Sequence, residues 1–486
     1  MADDSLCELG AVELRRLIGS RTISPTELLE ACIERIDALN PAVNAIVSMD
    51  REAAREQARA AERSVLRGDE LGLLHGLPLG IKDLADTAGL RTTYGSPLFA
   101  DHVPKQDELV VAALRAAGAV VLAKTNTPEF GAGANTRNPV FGATGNPFDP
   151  GLTCGGSSGG SAVALACDML PLVTGSDNGG SLRIPAGYCG VVGFRPSPGL
   201  VPSDKRPLGF SPLPVEGPMG RSVADVCLLL AAQAGFDARD PFSTPGDGRS
   251  LRSPEPLDLG SLRVAWSTDL GFARVAQEVR ETFTARMQRV AGRFRAAEAA
   301  TPDLGDMHRT YGVLRAEGFL DRLLALYEGD PERLGALIRA NIEEALGLSL
   351  ADHARAHAAQ TVACRKAAAF FRDFDLLLTP VAPVPPFPWR EPYVAKIDGE
   401  PLASYYQWLA LTYGISAIGH PACAIPCGVD PHGLPFGIQV VGPAKADRLT
   451  LAAAHALEQL FASDPTLARP RPDLILLRTM RTDFSV

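Results

Sequence analysis

The chain has 486 residues, with 47 basic and 56 acidic side chains giving a formal charge of −9. Hydrophobic residues make up 46% and charged residues 21%, the balance of an ordinary globular protein with ample core, which excludes an intrinsically disordered chain. No cluster of five Lys/Arg and no apolar run of bilayer length occurs, so nucleic acid, anionic membrane surfaces and a membrane span are not expected.

Helical signals open the chain. Leu14, Leu17 and Ile18 recur at helical spacing, and after Ser24-Pro25 the residues Leu28, Leu29, Cys32, Ile33, Ile36 and Leu39 form an apolar stripe backed by Glu. REAAREQARAAERSVLRG predicts a further helix. The pattern then changes: LPLGIKD and AVVLAK are short apolar runs bounded by turn residues and predict buried strands, with VVAALRAAG as a helix between them. This alternation predicts an open α/β layer structure.

From about residue 131 to 200 the sequence is dense in Gly, Ser, Asn and Pro, broken by a helix at SAVALACDM and strands at PLVTG and VVGFR. The stretch 236–260 predicts a surface connection. LRVAWSTD predicts a strand, long amphipathic helices follow to about 372, FDLLLTP, CAIPCG and FGIQVVG predict strands, and LTLAAAHALEQLF a closing helix. No internal repeat is visible. The segments are 1–70 (helical), 71–235 (α/β), 236–260 (connection), 261–372 (largely helical) and 373–486 (a return to strands with a closing helix).

Nine cysteines, an odd number with no C-x-x-C spacing, argue against a disulfide framework or zinc ribbon. With the acidic N-terminus MADDSLCELG, which lacks a signal-peptide pattern, they predict a reduced, cytoplasmic chain.

Two loops carry the chemistry: Cys154-Gly155-Gly156-Ser157-Ser158-Gly159-Gly160-Ser161 and Gly175-Ser176-Asp177-Asn178-Gly179-Gly180-Ser181. Glycines before a serine let backbone N–H groups turn inward as a donor cluster, which an oxyanion in acyl transfer requires. Either loop alone is equally a tight α/β turn; two around one helix–strand unit are less easily dismissed. GGSSGG also matches the G-x-S-x-G nucleophile elbow at Ser157 and Ser158, but that motif needs an apolar strand before it, whereas NPFDPGLTC is a loop. Its triad would also need a later His, and none of His308, His353, His357, His420, His432 and His455 has a setting that marks it out.

Without a histidine, Lys82 in Gly80-Ile81-Lys82-Asp83 is a candidate base, because a lysine removed from water gives up its proton more readily. Its ordinary reading is a strand-end lysine that reaches solvent or pairs with Asp83. Lys124 in VVLAKTNTPEFG has a similar setting, and spacing does not separate the two.

These blocks resemble the amidase signature family of serine hydrolases. The resemblance runs from SPTELLEACIERIDALNPAVNAIV through HGLPLGIKD, AKTNTPEFG, GNPFDPGLTCGGSSGGSAVALA and GSDNGGSLRIPAGYCGVVGFRPS to GHPACAIPCGVDPHGLPFGIQVVGP. It implies an α/β fold with a central mixed sheet between helices. It also implies Ser181 as nucleophile, Ser157 as a bridging serine joined to Gly156 by a cis peptide bond, and Lys82 as base. The backbone N–H groups of Asn178, Gly179, Gly180 and Ser181 would form the oxyanion hole, with Asp177 and Arg183 in support. Ser158 and Ser161 are then structural, bonding nearby backbone.

The sequence departs from the family at three places. Cys154 stands where many members have Pro, Ser or Ala, and Asn178 where Thr or Ile is usual. Residues 300–372 lack the tyrosine-containing motif of the glutaminase subunit of tRNA-dependent amidotransferases. Elsewhere, His353 and His357 lie four apart on a predicted helix, a spacing that could hold zinc but lacks a third ligand, so an exposed face is expected. Tyr405, Tyr406, Trp408 and Tyr413 are expected in the core rather than in a leaving-group pocket. PVAPVPPFPW is expected to be a rigid loop.

The expectation is a cofactor-free, metal-free amidohydrolase that cleaves linear amides through an acyl-enzyme on Ser181, with carbamates within reach of the same chemistry. Its partner would be a small-molecule substrate, with oligomerisation left open. The alternative is a glutaminase-type amidotransferase subunit that needs a partner chain.

Overall fold

The computed structural model describes residues 5–206, 208–246 and 248–486. Local signals place the first layer. Ser24 caps the helix Pro25–Val43 by accepting from Glu27 N, while the Glu27 carboxylate accepts from Ser24 N, and Pro25 supplies a ready-made first turn. The apolar stripe Leu28, Leu29, Cys32, Ile33, Ile36 and Leu39 is buried. Asp50 caps Arg51–Arg67, which ends at Gly68 with φ of 80°.

Eleven strands form one mixed sheet: β1 (Ile46–Met49), β2 (Pro78–Lys82), β3 (Val120–Thr125), β4 (Leu172–Asp177), β5 (Val192–Arg195), β6 (Val215–Gly220), β7 (Arg263–Trp266), β8 (Ala296–Ala299), β9 (Leu376–Pro380), β10 (Ala422–Val429) and β11 (Pro435–Val441). Their order is β1-β3-β2-β4-β6-β5-β10-β11-β9-β7-β8. The pairs β2/β3, β2/β4, β9/β7 and β7/β8 are parallel and the others antiparallel. Every residue of β2 and β3 is buried, as expected for strands covered by helices on both faces. The expected α/β fold with a central mixed sheet is therefore the observed one.

The strands missed by periodicity have physical reasons. β6 reads VEGPMG, and its glycines and proline disguise a central strand as a loop. β8 reads AAEA and lies at the sheet edge with mostly exposed side chains, so it carries no apolar alternation and falls within the stretch expected to be helical. β1 is the opposite edge.

The loops expected to carry chemistry sit at strand ends. Parallel pairing of Leu79 with Leu172 and Gly80 with Val173 brings the ends of β2 and β4 together. The helix Gly159–Ala166 follows the first glycine-rich loop, and the helix Arg183–Cys189 the second. Gly175 has no room for a side chain, because a Cβ there would lie 2.9 Å from Ser158 Oγ; this lets the first loop press against β4.

The helical stretch resolves into Gln277–Val290, Met307–Gly329, Ala336–Leu346 and Leu350–Asp373. Met307–Gly329 and Ala336–Leu346 share a small apolar cluster of their own. It comprises Phe130, Ala132, Leu323, Leu334, Ile338 and Ile342 and is separate from the main core.

Candidate active site

Lys82 ends β2 and is 2% exposed. Its Nζ donates to Ser157 Oγ at 2.7 Å and to Ser176 Oγ at 2.9 Å. Burial pulls its pKa down to about 7, against the opposing pull of the Glu216 and Asp177 carboxylates. The strand-end reading of Lys82, with its charge in solvent or on Asp83, is thereby corrected.

Asp83 instead lies 3.9 Å from Lys124. Lys124 is fully buried and spends its donors on Ala85 O, Thr87 Oγ1 and Thr92 Oγ1, which ties the chain after β2 to β3. The two lysines that spacing leaves equivalent thus differ by partner. One meets serine hydroxyls at the glycine-rich loops, the other fixed acceptors away from them.

The Gly156–Ser157 peptide bond is cis. Ser158 N donates to Ser181 O at 3.2 Å, which holds the two loops together, and Ser157, Ser176 and Ser181 line the same cavity. Ser158 Oγ lies 3.3 Å from both Ser176 N and Ser176 O, and Ser161 Oγ donates to Thr174 O at 2.8 Å; both hydroxyls brace β4.

Asp177 organises the second loop. Its Oδ1 accepts from Gly180 N at 2.8 Å and Arg183 Nη2 at 2.9 Å, and its Oδ2 from Leu182 N at 3.1 Å and Arg183 Nε at 3.0 Å. Arg195 Nη1 adds contacts of 2.7 Å to Asp177 O and 3.2 Å to Oδ1. Burial alone would raise this carboxyl, but the guanidinium groups of Arg183 and Arg195 hold it well below the usual carboxylate range. Arg183 also donates to Thr412 O, Gln439 Oε1 and Ser416 Oγ, so it is a structural clamp with no donor facing the cavity.

One expectation changes here. The Gly180 N–H is committed to Asp177, leaving the amides of Asn178, Gly179 and Ser181, which donate to no group among the described residues. Gly180 serves the turn instead: its φ is 129°, and a side chain there would run into Thr412.

The cavity holds about 460 Å³. Tyr94, Phe99, Phe130, Phe319, Leu323 and Leu326 form its apolar wall, and Asp86, Glu108, Glu216, Arg315 and Arg322 are polar groups along it. Phe130 and Tyr94 both sit in left-handed backbone, with φ of 48° and 52°, and Phe130 N donates to Tyr94 O at 2.7 Å. Such backbone costs about 1–3 kcal/mol and persists where surroundings over-determine it. Here the contacts of Phe99 with both rings supply that support.

The helix Met307–Gly329 forms a cover over the cavity, with Leu314, Arg315, Phe319, Arg322, Leu323 and Leu326 lining it, within the stretch expected to shape it. Glu108, Glu216 and Arg322 carry no mark in the sequence that singles them out. Only a strand assignment for VEGPMG would have shown Glu216 opposite Ser176.

The other candidates fall elsewhere. His308 contacts Tyr413 OH and Phe272 O, and His420 Gly442 O, while His432 and His455 pair with Glu278 and Glu458. His353 and His357 both reach Glu317 Oε1. No cluster able to hold a metal ion occurs among the described residues. Tyr406, Trp408 and Tyr413 are buried, with Tyr413 stacked on Tyr311 at 4.1 Å, and none lines the cavity. Burial pushes the Cys154 thiol up to about 12, which makes it inert. Among the described residues no helix is long and apolar enough to cross a membrane.

Solved structures share this architecture. A bacterial aryl acylamidase of the amidase signature family superposes with a TM-score of 0.86 at 28% identity, covering 94% of this chain and 96% of the other. A buried lysine beside paired serine loops on an amidase signature fold thus defines the class. The chain belongs to the Amidase family, whose model matches residues 27–451. It is 35% identical over 461 residues to an acylamidase of Rhodococcus erythropolis, covering 94% of this chain and 96% of that protein. It is also 37% identical over 478 residues to a glutamyl-tRNA(Gln) amidotransferase subunit of Thermus thermophilus, covering 93% of this chain and 97% of that one.

Proposed function

We propose that the protein is a cofactor-independent amidase that cleaves the C–N bond of linear amides through an acyl-enzyme on Ser181. The observation that carries this reading is a buried Lys82 with Nζ 2.7 Å from Ser157 Oγ, where Ser157 lines one cavity with Ser181. Neutral Lys82 accepts a proton relayed through Ser157 from Ser181, whose Oγ attacks the carbonyl carbon. The free amides of Asn178, Gly179 and Ser181 receive the developing oxyanion. As the C–N bond breaks, the relay returns the proton to the departing amine, and water then opens the ester by the same route.

The aromatic and leucine wall suits an aryl or alkyl substituent, and a cavity of this size encloses a small molecule. A carbamate fits the same steps: its acyl-enzyme is a carbonate ester, released by water as an alcohol and carbon dioxide. A second reading draws on the likeness to the amidotransferase subunit, namely glutamine hydrolysis within a larger complex.

The test is amine release by the isolated chain from a primary amide, an aryl anilide and an aryl carbamate, with Ser181→Ala as control. Release that vanishes in Ser181→Ala is expected, and the ranking separates amidase from carbamate-cleaving activity. Release that survives in Ser181→Ala overturns the assignment. Silence across the panel, with glutamine turnover only beside a partner chain, favours the second reading.

A further inference from the structure

Glu216 is the feature of the cavity that the relay described above does not use. It lies on β6 directly across the antiparallel ladder from Ser176, so the two side chains stand on one face of the sheet. Ser176 Oγ accepts from Lys82 Nζ, and Glu216 lines the same cavity as Ser157, Ser176 and Ser181. Its carboxylate receives no hydrogen bond and forms no close ion pair among the described residues.

The other charged groups nearby have closer partners, and Arg206 and Arg322 act on Glu216 as well as on those partners. Asp177 on β4 is held by Arg183 and by Arg195 of β5. Arg206 is fixed to Asp240 at 3.0 Å, and Lys205 pairs with Asp86 at 3.4 Å. Glu108 accepts from Asp86 N at 3.2 Å. From the cover, Arg322 lies over the Phe130 ring, with Glu108, Glu216 and Asp86 acting on it. Glu216 is thus the carboxylate without a hydrogen-bonded or ion-paired partner among the described residues, and it exerts the leading charge on Lys82.

We propose that Glu216 is a positioning residue for the base: through its place across from Ser176 it holds Lys82 in its charged form in the resting enzyme, so the Lys82–Glu216 pair must lose a proton before Ser181 is activated. The proposal rests on the catalytic reading of Lys82 and Ser181 given above. A carboxylate favours the charged lysine, so removing it makes Lys82 give up its proton at lower pH. Burial pushes Glu216 up to about 7, the same range to which Lys82 falls, each acts on the other's charge, and Glu216 also raises Glu108.

The experiment measures the rate at which phenylmethanesulfonyl fluoride, a neutral reagent, modifies Ser181 as a function of pH, with the site read by mass spectrometry. It needs no knowledge of the substrate, and a role of Glu216 confined to attracting a cationic substrate would not move it. In Glu216→Gln the acid limb is expected to shift down by about one pH unit, which makes labelling near pH 5.5 roughly tenfold faster relative to its own plateau. Glu216→Asp, which keeps the charge, is expected to retain the wild-type limb and controls for disturbed folding. If Ser181 is labelled but the limbs of wild type and Glu216→Gln coincide, the proposal is overturned and the catalytic reading stands. If Ser181 of the wild type is unlabelled at every pH, both fall.

Discussion

Replacing Asp177 by Asn tests the electrostatic scaffold of the second loop. The carboxylate is wholly buried and receives backbone N–H groups of Gly180 and Leu182 together with two guanidinium groups. Asn keeps the shape but offers one acceptor oxygen, turns an NH2 toward groups that are themselves donors, and leaves Arg183 and Arg195 buried without an anion. Breaking a buried pair in this way costs about 3–5 kcal/mol. For a chain of this length the unfolding entropy is about 1 kcal/mol per kelvin, so the calorimetric midpoint should fall by about 3–5 °C at a fixed scan rate.

The pH dependence follows from the sign of the shift. A carboxyl held below its ordinary range contributes its full stabilisation above about pH 4 and loses it only as pH falls through the lowered value, so the gap between variant and wild type should stay constant from about pH 5 to about pH 9. The Gly180 anchor also sets the neighbouring amides, so amide turnover should drop about a hundredfold, the loss associated with one misplaced oxyanion donor. A midpoint within about 1 °C of wild type would refute the claim that Asp177 is the counter-charge on which the loop is built.

Three further outcomes are expected. Lys82→Ala should lose most activity without recovery at high pH, and wild-type turnover should rise as pH passes through about 7, where neutral Lys82 becomes the major form; activity that is already full near pH 5 would exclude it as base. Lys124→Met should lower stability by about 3 kcal/mol, because three acceptors and Asp83 lose their cation, yet keep turnover per folded molecule within a few-fold; denaturation and active-site titration measure the two separately. Phe319→Ala should raise KM for an aryl anilide more than for a small primary amide, since it removes part of the aromatic wall; equal effects on both would place the substrate elsewhere.

The helices and most strands were legible because their signals are local: the Ser24–Glu27 capping box, Gly68 at a helix end, and the apolar runs of β2, β3, β9, β10 and β11. The residues of the two glycine-rich loops stood out by composition, but their roles came from resemblance alone. Sequence could not choose between Lys82 and Lys124, since the choice depends on which strand end meets Ser157, a long-range pairing. β6 was lost because its Gly and Pro residues read as a turn, and Glu216 went with it. The Asp177–Gly180 bond was hidden for a different reason: backbone direction within a loop leaves no compositional trace.

The small separate core of the cover bears on how the site opens. Leu323, Leu334, Ile338 and Ile342 pack against Phe130 rather than into the main core, whereas Met307, Tyr311, Val313 and Leu314 anchor the start of the same helix in it, so the far half of Met307–Gly329 together with Ala336–Leu346 is the part least tied to the sheet. Amide exchange in 319–346 should then be governed by a local opening cheaper than global unfolding, and 307–314 should exchange more slowly. Sequence change in 319–346 would alter which molecules enter, whereas Tyr311, whose hydroxyl fills the space a Cβ at Gly179 would need, ties the start of the helix to the chemistry beneath.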